Sequence, residues 1–298
     1  MVRAIVLGFV LLEIGSTVTF LPLLGNLKFH PELPWAFPMT LVVLALYAAY
    51  FSGWGPPAAT RATRQNYARA SLPSARIWRA AIPPMLFGIV ALIALRLLLP
   101  SLLSVRAPSI PISFSSLPLP TTIGALLSVV VIAAVTEEIA FRGYMQKPME
   151  DAYGFVPAVL IVGVMFWVAH LDHGISVTHL PFHISASIAL GLLAYLTRSL
   201  IPAMIAHGVG DILLVPAYFF REPEFVWKAL SARPVWEGAA STFLERLQIV
   251  LGALSPRHAF ADGPFQIFVI TAWILVISTA LTIFAFLRLV RASRASAV

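Results

Sequence analysis

The chain has 298 residues, of which 59% are hydrophobic and only 11% charged, with a mean hydropathy of +0.90. A soluble domain carries roughly 25% charged residues, so the composition excludes one and points to a polytopic membrane protein. The absence of cysteine excludes disulfides, thiolate metal sites, a cysteine nucleophile and lipidation at cysteine. The net charge of +7 lies mostly in loops between apolar runs, where it orients helices, and does not suggest a nucleic-acid partner.

A spanning helix needs about 20 mostly apolar residues. On that measure the sequence predicts eight, near 4–24, 36–54, 82–104, 121–149, 155–172, 183–197, 200–220 and 265–288. The fold class is therefore all-α, a polytopic transmembrane helical bundle. The first run follows Met1-Val2-Arg3 and is interrupted by Glu13, with no small-residue cleavage site after it, so it reads as a retained helix. Pro83, Pro84, Pro148, Pro157, Pro202 and Pro256 should mark ends or kinks. The shorter helices should be broken or tucked into the interior. Four regions follow: N-terminal helices in 1–120, core helices in 121–220, an extracytoplasmic loop in 221–264, and a last helix with a basic tail in 265–298.

Loop charge sets the expected orientation. The segment 55–79 carries Arg61, Arg64, Arg69, Arg76 and Arg79 without an acid, and the tail carries Arg288, Arg291 and Arg294 without one. Both should face the cytoplasm, with both termini inside and 221–264 outside. Within that loop, the apolar stretch 239–254 around Glu245-Arg246 is an expected interfacial helix.

Ionisable groups at membrane depth are costly and mark functional sites. Glu137 and Glu138 end an apolar run with no charge from Thr121 to Thr136, and Arg142 follows. Glu138 and Arg142 stand four apart with the acid first, the better order for a helical ion pair. Glu137 points about 100° away, which leaves it free as the chemical residue with Glu138 and Arg142 as support. The alternative is one structural network of all three. His170 shares a helix face with Phe166. It lies as far after Gly154 as Glu137 lies before it, to within one residue, so an antiparallel hairpin would bring them to one depth. His207 and Asp211 are also one turn apart, with Gly208 and Gly210 leaving room beside them. Read alone, that pair is equally a helix contact. Asp172, His173, His179 and His183 read as a polar loop at the outer end of the fifth helix. Glu13 reads as a buried hydrogen-bonding group and Arg96 as a snorkelling side chain. No His-Glu-x-x-His, Gly-x-Ser-x-Gly or Walker pattern occurs.

Glu137-Glu138-x-x-x-Arg142, Phe166-x-x-x-His170 and His207-x-x-x-Asp211, in this order and with Phe141-Arg142-Gly143 after the glutamates, resemble the three motifs of the CPBP family of intramembrane proteases. These are relatives of the type II CAAX prenyl endopeptidase, and many bacterial members are labelled Abi or bacteriocin-immunity proteins. The resemblance covers about 121–215 and implies peptide-bond hydrolysis in a helical cavity. It implies that Glu137 and His170 activate a water and that His207 with Asp211 stabilises the oxyanion or completes the site. A carboxylate is a poor oxyanion donor unless protonated, so Asp211 suits metal ligation or the orientation of His207 better. Glu137, His170, His207 and Asp211 would suit zinc, and equally a glutamate-activated water without metal.

The expected protein is an eight-helix endopeptidase of a bacterial inner membrane, acting on a peptide or membrane-protein substrate among membrane lipid. The alternatives are a non-catalytic scaffold or immunity-type protein and an ion-coupled transporter. Against the transporter stands the lack of an internal repeat.

Overall fold

The computed structural model describes residues 1–103, 117–171, 179–214 and 264–295. Among them the regular structure is helical and no strand occurs. The reason is physical: a backbone in lipid must satisfy its own polar groups, and a helix does so within one segment. The elements are α1 (Val2–Phe29), α2 (Ala36–Phe51), α3 (Arg61–Ala68), α4 (Ala75–Leu103), α5 (Leu119–Glu137), a π-helical segment (Glu138–Gln146), α6 (Lys147–Tyr153), α7 (Phe155–Val168), α8 (Leu180–Thr197), α9 (Ile201–Leu214) and α10 (Pro264–Arg294).

Five helical stretches are long and apolar enough to cross a membrane: Val2–Phe29, Ala75–Leu99, Leu119–Tyr153, Leu180–Thr197 and Phe268–Arg294. The chain is a multi-pass membrane protein. The other three predicted spans are the shorter apolar helices α2, α7 and α9. The predicted seventh helix is described only to Leu214. Residues 221–263 of the loop with its expected interfacial helix, the far end of the tail, Asp172 and His173 lie outside the described residues.

The central rod is α5, the π-helical segment and α6, continuous from Leu119 to Tyr153. It turns sharply into α7 at Gly154, whose φ of 83° is one that a side chain rarely adopts. Pro157 and Pro202 fall in the first turns of α7 and α9, where a missing N–H costs nothing, while Pro148 lies inside the continuous rod just after the π-helical segment. Pro83 and Pro84 do not end a helix. They lie inside α4, which begins at Ala75. α4 and α10 pack lengthwise and antiparallel, with Leu98 against Phe268 and Ala272 at one end and Gly88 facing Thr282 further along. The outer faces of α1 and α10 expose Val6, Leu21, Ile277 and Phe284, the surface expected beside lipid.

The basic segment 55–79 is built into the bundle more than its charge suggested. Arg64 is buried and its guanidinium donates to the carbonyls of Trp54 and Gly55, each at 2.7 Å. Arg69 is buried in an ion pair with Glu150, and its carbonyl accepts from the Leu200 N–H at 3.1 Å. Two other expectations are corrected. Glu13 is exposed on α1, because its position falls on that helix's outer face. Arg96 is 3% exposed and does not snorkel.

Candidate active site

The hairpin of the central rod and α7 sets the first part of the site. Phe141 packs edge-on against Phe166, ring centroids 5.2 Å apart. Glu137 lies four residues before Phe141 at the end of α5, and His170 lies four residues after Phe166 in the turn that follows α7. At Glu137 the rod changes winding. Glu137 closes α5 and Glu138 opens the π-helical segment. Such segments are rare, and many occur at functional sites. The local sequence gives no signal for it.

Glu138 and Arg142 are fully buried, with Arg142 Nη1 at 3.1 Å from Glu138 Oε1, the pair that four-residue spacing anticipates. The guanidinium also lies over the Phe166 ring, 4.6 Å from its centroid, a cation–π contact out of water. Glu138 has a second partner. His207 Nδ1 donates to Glu138 Oε1 at 2.9 Å. The carboxylate thereby fixes which face of the imidazole is turned away, and His207 Nε2 is left facing Asp211 Oδ2 at 3.4 Å and Glu137 Oε2 at 3.8 Å. Side-chain exposure rises along this set, from 0% at Glu138 through 10% at His207 and 16% at Glu137 to 25% at Asp211. The open side is therefore that of Glu137 and Asp211.

His170 joins this group across Phe166. Its ring centroid lies 4.8 Å from that of Phe166, and the ring of His207 lies 6.3 Å from the same phenylalanine. His170 Nδ1 donates to the Phe166 carbonyl at 2.7 Å, so Nε2 is the nitrogen available for chemistry. The helix thus supplies the tautomer of His170, as Glu138 supplies that of His207.

The sequence reading missed His183. It belongs to α8 and is 5% exposed, with its ring 4.7 Å from His170 and 5.9 Å from Phe166. Its Nδ1 donates to the His179 carbonyl at 2.8 Å, and His179 is buried as well. A polar loop at the outer end is therefore wrong for both. The error arose because α8 begins at Leu180, before the predicted start, and turns His183 inward. The signal available was His183 followed by Ser187 and Gly191, a small and polar face at four-residue spacing.

Gly208 and Gly210 do different things. A Cβ on Gly208 would touch Ala134 of α5 at 3.5 Å, so this glycine is where α9 packs on the rod. A Cβ on Gly210 would meet nothing within 4 Å. Among the described residues no group of three or more His, Asp and Glu side chains is arranged to hold a metal ion. Both nitrogens of His207 face carboxylates, and His170 anchors Nδ1 on its own helix. Among the described residues Glu137, His170, His207 and Asp211 are not gathered as a ligand set, and no step is routed through a metal.

Residues 119–213 match the model of one protein family, type II CAAX prenyl endopeptidase Rce1-like. This segment is a CPBP-family intramembrane protease domain. It spans the central rod, α7, α8 and nearly all of α9, about a third of the chain, and contains every residue of the site just described. No curated protein and no solved structure matches the chain. At the level of the family, the CPBP domain is that of a membrane-embedded peptide hydrolase.

Proposed function

We propose that the CPBP domain hydrolyses a peptide bond within the membrane, with Glu137 as general base. A water adds to the peptide carbonyl carbon as Glu137 takes its proton, and the carbonyl electron pair moves onto oxygen. The C–N bond then breaks, the proton passes from Glu137 to the departing nitrogen, and a carboxyl and an amine result. His170 Nε2 helps to hold the water. His207 acts as the imidazolium: with Nδ1–H on Glu138 it donates Nε2–H to the developing oxyanion, and Asp211 holds that side in place. Glu138, bound to both Arg142 and His207, sets the ring of His207 and is a positioning residue. The observation that carries this reading is His207 held among Glu137, Glu138 and Asp211 at 2.9–3.8 Å, at the point where the central rod changes to π-helical winding.

The role given to Asp211 follows from its chemistry. A carboxylate accepts hydrogen bonds, so at 3.4 Å from Nε2 it orients the imidazole and does not donate to an oxyanion. The substrate is a peptide or a membrane protein that reaches the site through lipid, and nothing in the sequence or the site requires it to be prenylated. The test is Glu137→Gln in the purified full chain, assayed in lipid vesicles on quenched fluorescent peptides bearing an apolar anchor. Loss of a base is expected to lower the rate by about 10²–10⁴-fold, with the melting temperature unchanged. Unchanged turnover in Glu137→Gln would refute the assignment. An inactive wild type whose phenotype survives Glu137→Gln would favour a non-catalytic scaffold.

A further inference from the structure

Glu138, Arg142, Gln146 and Glu150 follow one another at four-residue intervals along the central rod; the first three are fully buried and the Glu150 side chain is 6% exposed. The line is bonded at both ends. Glu138 pairs with Arg142, while Gln146 Nε2 donates to Glu150 Oε1 at 2.6 Å and Glu150 pairs with Arg69. Its middle is different. Arg142 Nε and Nη2 and Gln146 Oε1 are buried and have no hydrogen-bond partner among the described residues. Ser187 Oγ, on α8, is in the same condition.

These atoms belong to one place. α7 and α8 run antiparallel in a register that the contacts define. Phe166 meets His183, a Cβ on Gly163 would touch Ser187 Cβ at 3.7 Å, and a Cβ on Gly191 would touch Val159 at 2.8 Å. The Arg142 guanidinium lies on Phe166, in the first of these layers, and the Gln146 amide lies on Gly191, in the third. Ser187 occupies the layer between. The missing side chain at Gly191 is what admits Gln146: a Cβ there would stand 2.7 Å from Gln146 Oε1.

We infer that Arg142, Gln146 and Ser187 enclose an internal water site that joins the two halves of this line. The chemistry selects the occupant. Arg142 offers only donors. Gln146 offers only an acceptor, because its Nε2 is fixed by two acceptors, Glu150 Oε1 and the Gly191 carbonyl at 3.2 Å. An anion could accept from Arg142 but would be repelled by Gln146 Oε1, and a cation would be repelled by Arg142. The occupant accepts from one side and donates to the other, with the Ser187 hydroxyl as a third partner. Water does this with the two to four polar contacts typical of buried sites. Arg142 is then held from both sides, by Glu138 toward the candidate active site and by the water toward Gln146.

The test is a structure of the full chain in lipid nanodiscs at a resolution that shows ordered waters, with Ser187→Val determined alongside. Density within hydrogen-bonding reach of Ser187 Oγ, Gln146 Oε1 and an Arg142 nitrogen is expected in the wild type and absent in Ser187→Val. Direct bonding of Gln146 Oε1 or Ser187 Oγ to Arg142, or an empty gap, would overturn the inference. Melting temperatures provide an independent reading. Ser187→Ala keeps the room for the water and should melt well above Ser187→Val, which displaces it. In a dry pocket the order reverses, since valine would fill apolar space.

Discussion

Arg142 and Glu137 are both ionisable groups at one depth, and their environments predict opposite consequences of substitution. Arg142 is fully buried against Glu138 and Phe166, so removing it strands a buried carboxylate. Arg142→Ala is expected to lower stability by about 3–5 kcal/mol, the cost of breaking a buried pair from one side. Glu137 stands on the open side, 3.8 Å from His207 Nε2. Its replacement by Gln breaks no such pair and should cost no more than about 1 kcal/mol. Denaturation of the two variants in the same detergent checks both figures. A comparable loss in Glu137→Gln would make that residue part of the structural network. His183 supplies a third case at this scale. Its ring lies against His170, so His183→Ala leaves a cavity beside His170, whereas His183→Gln keeps most of the volume. Turnover of the peptide probe should fall in the first and recover in part in the second.

At the level of elements, the site depends on how closely α8 can approach the central rod. Gly191 decides this, since a Cβ there would stand 2.7 Å from Gln146 Oε1 and 2.8 Å from Val159 Cγ2. Gly191→Ala is therefore an overpacking change, expected to cost about 1–3 kcal/mol. That outweighs the ~1 kcal/mol by which alanine is the better helix former. Gly210→Ala reverses the balance. It meets nothing within 4 Å, so only the propensity gain remains and stability should rise by up to ~1 kcal/mol. Parallel melting curves of the two variants test the contrast, and a stabilised Gly191→Ala would contradict the packing described between α8 and the rod. The π-helical segment is the second elemental feature. It places Glu138, Phe141, Arg142 and Met145 all inside, a denser inward face than a straight apolar stripe requires.

For the whole molecule, the remaining question is the side from which the site is reached. Loop arginines predict a cytoplasmic side for 55–79 and the C-terminal tail, although Arg64 and Arg69 are also structural. The turn around Arg198 lies at the same end as Arg69, whose carbonyl meets Leu200. From that end His207 is about two turns, or ~11 Å, along α9. A water-soluble thiol reagent supplied from the cytoplasmic face should label cysteine placed at Gly210. The natural chain has no cysteine, so the background is clean. Labelling only from the outer face would reverse the access route, and labelling from neither face would leave Asp211 and Glu137 without the water that hydrolysis needs.

What the sequence determined by itself is what short-range chemistry controls. Apolar run length placed all eight helices close to where the described residues have them, because a lipid-embedded backbone has no other solution. Four-residue spacing paired Glu138 with Arg142 and His207 with Asp211. The tertiary structure alone decided which partners from different helices share a carboxylate. Glu138 reaches His207 across the gap from the rod to α9, which no spacing along the chain encodes. Helix rotation likewise decided the burial of His183, Arg96 and Ser187 and the exposure of Glu13. In lipid both faces of a helix are apolar, so the amphipathic pattern that reveals rotation in a soluble protein is missing. Rotation is then set by packing between small residues such as Gly163, Gly191 and Gly208, whose contacts exist only once the helices have met.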